Sequence, residues 1–238
     1  MALRRSMIRQ LLLPARDFVL DLVFPPRCGG CRKLGWGFCP EGAAEVVPAA
    51  VIGGWEAYAS QADAEIVLDW RLEELGIERL CAAGEYQGAL RNALVKLKYG
   101  NGRYLAPWLG RLLAPQLVAI AVDSAALVPV PLHSKRQKER GYNQSRLLAR
   151  GLARELDAEM LDGALTRSSN TPPQVGLTAA QHRANMRGAF VADAAKLAGR
   201  DVVIVDDIVT TGSTVMACAR ACRRAGAGRL YVVAVAHG

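Results

Sequence analysis

At 238 residues, 51% hydrophobic and 22% charged, the chain is long enough to bury a full core and ordinary in composition for a globular protein. No window stays apolar for the length a bilayer-spanning helix needs, so a membrane-spanning protein is not expected. The formal net charge of +8 is unevenly spread: residues 56–78 hold seven acids against Arg71, and residues 133–154 hold seven bases against Glu139. The basic half suits a polyphosphate, a nucleic acid or both, while a solvated helix face accounts equally well for Arg146, Arg150 and Arg154.

The first 24 residues are basic and apolar, but Arg9, Gln10, Arg16 and Asp17 interrupt the apolar run and no small-residue cleavage site follows. The pattern predicts an amphipathic helix over 7–24, stopped by Pro25-Pro26, rather than a signal peptide, and a cytoplasmic location. Cys28-Gly29-Gly30-Cys31 then has the spacing of a knuckle that holds Zn2+. Cys39-Pro40-Glu41-Gly42 begins a second knuckle, but the position of the fourth ligand carries a glycine. A closed structural zinc site needs four ligands. Glu41, a water or Cys81 are candidates to complete Cys28, Cys31 and Cys39; without one, the stretch is a glycine-rich loop with free thiols. The six cysteines do not form a disulfide framework, which fits a reducing compartment. Residues 45–79 show a short strand at 46–52 and an acidic helix at 62–75, and carry no chemistry.

From Tyr86 a helix is expected through Leu97, ended by Lys98-Tyr99-Gly100. Lysine in the last turn with glycine beyond it is ordinary capping; the functional reading puts the Lys98 ammonium near a phosphate. A second helix is expected over 104–118. Residues 125–131 read as a strand with prolines near its end. A basic loop over 133–140 contains Lys135 and Arg136, and a long helix follows with Leu147, Leu148, Leu152 and Leu156 at helical spacing. His133 and His182 read as solvated loop histidines, with acid–base work as the alternative. Residues 166–188 are polar, contain Arg167, Arg183 and Arg187 and no acid, and read as a functional lid or a disordered segment. Such a lid would exclude water during transfer of an activated sugar.

The most informative stretch comes last. Val202, Val203, Ile204 and Val205 are four consecutive β-branched residues and predict a buried parallel strand. Asp206 and Asp207 follow where that strand is expected to end, then Thr210, Thr211, Gly212, Ser213 and Thr214, then a helix over 215–225 with Cys218 and Cys222 on one apolar face. Ligands of open α/β sheets bind beyond the carboxyl ends of the strands. Gly212 lets backbone approach a phosphate, the hydroxyls and the helix N-terminus donate to it, and the acid pair can accept from vicinal sugar hydroxyls or sit near a divalent cation. A phosphorylated sugar fits. The Gly-Lys-Ser/Thr ending of an ATP P-loop and the spaced glycines of a Rossmann fingerprint are both missing. A final strand is expected over 230–236.

This stretch resembles the 5-phosphoribosyl-1-pyrophosphate (PRPP) motif of type I phosphoribosyltransferases. The order Lys98-Tyr99-Gly100, Val128-Pro129-Val130-Pro131, Arg140-Gly141-Tyr142-Asn143-Gln144, Thr171-Pro172-Pro173-Gln174, Arg183 to Phe190 and Val205-Asp206-Asp207 is similar to the ComF/GntX family of competence-associated phosphoribosyltransferase-like proteins, over about residue 81 to the end. The resemblance implies an α/β type I phosphoribosyltransferase fold over 79–238, a parallel sheet with helices on both faces and a hood. It also implies a small degenerate zinc-ribbon-like module within 1–78. It implies binding of PRPP with Mg2+, transfer of the phosphoribosyl group to an unknown acceptor, and a cytoplasmic role in competence and DNA uptake. In that frame Asp206 and Asp207 hold the ribose hydroxyls, and Thr210, Thr211, Gly212, Ser213 and Thr214 grip the 5-phosphate. Lys135 and Arg136 bind the pyrophosphate, and Arg183 and Arg187 close over the leaving group. The alternative is a regulatory protein that binds single-stranded DNA and keeps the PRPP pocket without turnover. A second copy of the chain or competence-machinery proteins are the further partners it implies. The chain departs from the family at Gly42 and in lacking further cysteine pairs between Val46 and Arg79.

Overall fold

The computed structural model describes residues 27–34, 37–39, 42–43, 45–46, 76–100, 102–119, 124–167 and 188–238. The helix expected over 7–24, the strand at 46–52 (Val46 apart) and the helix at 62–75 lie outside the described residues, as do His182, Arg183 and Arg187.

Strands β1 (Ile77–Glu85), β2 (Ala126–Pro129), β5 (Val202–Val209) and β6 (Leu230–His237) form a parallel sheet in the order β1-β6-β5-β2. The central pair, β5 and β6, is rich in valine and buried on both faces, as the unbroken apolar runs require. Along β5, Val202 and Ile204 join one core and Val203 and Val205 the other, the period-two alternation of a strand covered on both sides. Beyond β2, the sheet is continued by a single parallel bridge between Leu127 and Met160. Strands β3 (Leu165–Arg167) and β4 (Phe190–Ala192) form a separate antiparallel ribbon that brackets residues 168–187.

One core is shared with helices α1 (Gly88–Tyr99), α2 (Ala106–Arg111), α3 (Ala114–Ala119) and α5 (Gln144–Leu156); the other with α7 (Ser213–Arg224) and the β3–β4 ribbon. Helices α2 and α5 cross at near backbone contact: a Cβ at Gly110 would lie 2.9 Å from Leu148 O and Leu152 N. Among the described residues no helix is long and apolar enough to cross a membrane.

Three elements differ from expectation. The helix expected over 104–118 is a 3-10 turn (Gly102–Leu105) followed by α2 and α3. Pro115 causes the break, because it has no N–H and its ring would meet the carbonyl of residue 111. The expected basic loop at 133–140 is helix α4 (Ser134–Arg140). His133 Nδ1 accepts from Lys135 N at 3.2 Å at its start, and Gly141 closes its end at φ 78° with its N–H on Gln137 O at 2.8 Å. Strand β5 also runs four residues past Val205, so the acid pair lies inside it rather than after it. The ladder to β6 continues through Asp206↔Ala234, Ile208↔Ala236 and Val209↔His237.

Candidate functional site

The acid pair sits near the carboxyl end of β5, and both residues are buried, with Asp206 6% and Asp207 4% exposed. Strand alternation sends them to opposite faces. Asp207 meets the α1 layer, where Lys98 Nζ lies 3.0 Å from its Oδ2. Asp206 takes its polar partners from elsewhere: Ser145 Oγ, at the start of α5, donates to its Oδ1 at 2.9 Å, and the Asp207 N–H donates to the same oxygen at 2.8 Å. Burial, then the adjacent Asp207 carboxylate, push the Asp206 carboxyl up to about 7; the two hydrogen bonds and Lys98 oppose them without prevailing. Asp207 Oδ2 receives no aligned hydrogen bond although Lys98 is close. The contact is therefore electrostatic, and that oxygen keeps acceptor capacity for a ligand.

Beyond β5 the chain turns through Thr210, Thr211 and Gly212 into α7. Gly212 is the N-cap at φ 70°, a left-handed conformation that favours glycine. Thr211 Oγ1 and Ser213 Oγ lie 3.0 Å apart across the turn. Thr210 and Thr211 are exposed, and Ser213 and Thr214 half-buried. The first turn of α7 holds no acid, so its N–H groups and dipole remain suited to an anion.

A second loop stands beside the first, as the repeated strand–loop–helix layout predicts. It starts after β2 and is tied to α5 by Asn143. The Asn143 amide donates to Val130 O at 2.9 Å, and its Oδ1 accepts from Ser145 N at 2.9 Å and Arg146 N at 3.4 Å. A cleft of about 330 Å³ opens between the end of α1 and α4, lined by Lys98, Tyr99, Gly100, Arg136, Glu139, Arg140 and Tyr142. Lys98 connects this cleft to the acid pair. The Tyr142 phenol donates to Leu97 O, which holds the end of α1 against the α4–α5 turn. Burial raises the Tyr142 phenol above its ordinary value, against the fields of Arg140 and Arg103. Arg103 lies over the Tyr142 ring at 4.4 Å and Arg140 over Tyr99 at 5.4 Å.

Two buried carboxylates, a glycine-hinged helix start and a basic cleft, all at one end of a parallel sheet, match what comparison with known proteins shows. The model of the phosphoribosyl transferase domain matches residues 143–237. Competence protein F of Haemophilus influenzae is 33% identical over 172 residues, 67% of this chain and 73% of that protein. The DNA utilization protein YhgH of Escherichia coli K12 is 34% identical over 160 residues, 65% of this chain and 70% of that protein. The chain belongs to the competence protein F family. The solved structures of an allosteric regulatory enzyme of purine biosynthesis and of the glutamine PRPP amidotransferase of B. subtilis are 19% and 20% identical. They cover 59% and 58% of this chain and 29% and 30% of their own, at TM-scores of 0.41 and 0.40, too low to carry an argument.

Within this family member the structure brings together Asp206, Asp207 and Lys98, and places the Thr210–Thr214 turn directly after them. Lys98 is in contact with Asp207 and also lines the cleft. Lys135 and Arg136 are exposed on α4, and Arg136 faces the cleft. His133 is a helix cap rather than a free acid–base group. Sequence reasoning did not single out Ser145, Tyr99 or Tyr142 as site residues. For Ser145 the available signal was its place two residues after a capping asparagine; nothing local links it to Asp206.

The cysteine knuckle packs on α1: Cys28 and Phe38 belong to the same core as Ala89 and Ala93. The Sγ atoms of Cys28, Cys31 and Cys39 lie within 4.8 Å of one another, with Cys31 and Cys39 at 3.2 Å. Burial works to raise the Cys28 thiol, but the backbone N–H groups of Cys39, Cys31 and Gly30 outweigh it and bring it down to about 7. Gly42 N donates to Cys39 Sγ at 3.3 Å, and a Cβ at Gly42 would lie 2.5 Å from Cys28 Sγ. Position 42 thus closes on the thiols but offers only backbone, and Cys81 is not part of the cluster. Glu41 lies outside the described residues. Three thiols fit three corners of a zinc tetrahedron, with the fourth left to a ligand from outside this set. Cys218 and Cys222 are buried in the α7 core, where burial raises both thiols.

Proposed function

We propose that this protein binds PRPP with Mg2+ at the carboxyl end of β5 and transfers its phosphoribosyl group to an acceptor, releasing pyrophosphate. The observation that carries this reading is the buried Asp206–Asp207 pair immediately before the Gly212 turn and the start of α7. That is where a ribose and its 5-phosphate would be held together. Asp206 and Asp207 would accept from the ribose hydroxyls and face the positive charge that develops at the sugar carbon as its bond to pyrophosphate breaks. Asp207 Oδ2, which Lys98 approaches without an aligned hydrogen bond, would be a hard oxygen donor of the kind a ribose hydroxyl or the Mg2+ shell calls for. When bound, Mg2+ would neutralise charge on the diphosphate. The Thr210–Thr214 turn would orient the 5-phosphate, and Lys135 and Arg136 would meet the pyrophosphate end. Arg183 and Arg187 belong to the segment proposed to cover it. The family relatives named for competence and DNA utilization support a role of that kind, which we place in the cytoplasm as part of the same proposal.

Calorimetric titration with PRPP and Mg2+ tests the site. Wild type is expected to bind, and Asp207→Asn to lose binding while keeping its circular dichroism. Unchanged affinity in that variant overturns the assignment. A pyrophosphate-release screen against candidate acceptors then tests turnover.

A second reading is favoured by one feature. Tyr99 is 81% exposed and sits beside Arg140 at the cleft mouth. An exposed ring with a guanidinium beside it is a stacking platform for an unpaired base. Binding of a single-stranded oligonucleotide that weakens with salt and is lost in Tyr99→Ala would support it. No binding at low salt would reject it.

A further inference from the structure

Arg167 ends β3 and is paired in register with Phe190 of β4. Its guanidinium lies over the Phe190 ring, 5.4 Å from the centroid, and that ring is itself buried. The side chain is half-buried, and its Nε is shut off from solvent with no hydrogen-bond acceptor. No acid forms an ion pair with it among the described residues. Other arginines here do have such partners: Arg146 with Asp162, Arg200 with Glu159, Arg229 with Asp201.

The charged neighbour whose field Arg167 feels is another cation, Arg136. Burial, and then Arg136, both hold the Arg167 guanidinium below its ordinary value, while Cys218 acts the other way. Cys218 in turn feels both Asp206 and Arg167. Strand β3, which Arg167 ends, shares the core of α7, on the face of the sheet away from α1 and Lys98. Arg136 belongs to the cleft wall that also holds Lys98 and Arg140. The buried Arg167 Nε with no acceptor is the costly feature, and an anion placed there would satisfy it and also meet the nearby charge of Arg136. Guanidinium forks match phosphate oxygens in geometry, and the aromatic ring beneath Arg167 fixes the plane of its fork.

We propose that Arg167 is a diphosphate-binding residue of this site, holding the pyrophosphate end of the ligand jointly with Arg136. This rests on the PRPP reading above. The arrangement divides the ligand between two loci, with the 5-phosphate on the Gly212 turn and the diphosphate between α4 and the end of β3.

The test is calorimetry with inorganic pyrophosphate plus Mg2+, PRPP plus Mg2+, and ribose 5-phosphate, on wild type, Arg167→Gln and Arg167→Lys. Arg167→Gln is expected to weaken pyrophosphate and PRPP by about tenfold or more, the loss of one charge-assisted contact. Ribose 5-phosphate is expected to stay within about twofold, since it reaches only the Gly212 turn. Arg167→Lys keeps the charge and the contact with Phe190 but lacks the fork, and is expected to fall between them. It carries the test if Arg167→Gln fails to fold. A folded variant that binds pyrophosphate like wild type, or loses all ligands equally, overturns the role of Arg167 while leaving PRPP binding in place. Wild type that binds none of the three overturns the PRPP reading and this inference with it.

Discussion

Lys98 Nζ stands 3.0 Å from Asp207 Oδ2, with 19% of the lysine side chain and 6% of the aspartate exposed. The pair joins the last turn of α1 to the middle of the sheet, and Lys98 also lines the cleft between α1 and α4. Breaking a fully buried pair from one side typically costs ~3–5 kcal/mol, because the surviving group is left unpaired in a poor solvent. Lys98 keeps some water, so Lys98→Met is expected to cost about 2–3 kcal/mol of stability. The double variant Lys98→Met, Asp207→Asn should recover part of that loss. Urea unfolding of the four proteins gives the coupling directly. A Lys98→Met midpoint equal to that of wild type would show the pair to be incidental.

Asp206 makes stability depend on pH. Its folded pKa is raised to about 7 by burial and by Asp207, against an unfolded value of about 3.9. Between those values the folded state holds a proton that the unfolded state has released. The stabilising contribution is thus complete below about pH 4, falls as pH rises toward 7, and is gone above it. Asp206→Asn removes this dependence. The variant should be more stable than wild type at pH 8, on the order of a few kcal/mol, and the difference should shrink toward pH 4. Thermal melts across that range check it; parallel curves for the two proteins would contradict the assignment.

Asn143 caps α5 and also donates to Val130 O, so it fixes the distance between the second loop and Ser145. Asn143→Ala is expected to cost about 1–2 kcal/mol, and Asn143→Ser, which keeps an acceptor for the helix N–H groups, less than half of that. Ser145 should also lose its hold on Asp206 in the alanine variant, moving the pH dependence described above to higher pH. Chemical denaturation at two pH values separates the two effects.

The three thiols make a prediction about zinc. In a Zn–S tetrahedron with bonds of about 2.3 Å the sulfurs stand about 3.8 Å apart, whereas Cys31 and Cys39 are 3.2 Å apart here. Metal entry must therefore open the Cys31–Cys39 pair, and with three protein ligands the ion should be held weakly. Zinc loaded at one equivalent is expected to pass rapidly to a chromogenic chelator. Gly42→Cys should slow that transfer by supplying a fourth thiol, provided Cys28 Sγ gives way to the new Cβ that would otherwise lie 2.5 Å from it. Slow release from wild type would show that a fourth ligand is already supplied.

Local patterns carried a large part of this molecule. The β-branched run of β5, the acid pair, the glycine turn and the start of α7 occur in the order their local physics demands. Strand periodicity, glycine at positive φ and helix capping are short-range effects, and each leaves its mark on adjacent residues. The second strand–loop–helix unit was legible for the same reason, although its loop is helical: His133 as a cap and Gly141 at φ 78° stabilise a turn of basic residues that composition alone reads as irregular. Likewise Pro115 divides a helix that periodicity alone would have continued.

By itself, then, the sequence determined which strand bears the acids, which glycine turn leads from them into α7, and that the knuckle stops one thiol short. Only the tertiary structure decided the rest. It put the acids inside β5 rather than after it, because the ladder to β6 does not end at Val205. It brought Lys98 to Asp207 and Ser145 to Asp206 from distant helices, and left the buried Arg167 Nε without an acceptor among the described residues. Those pairings depend on parallel crossovers and on where two layers of helices meet one sheet, and no spacing along the chain encodes such a distance.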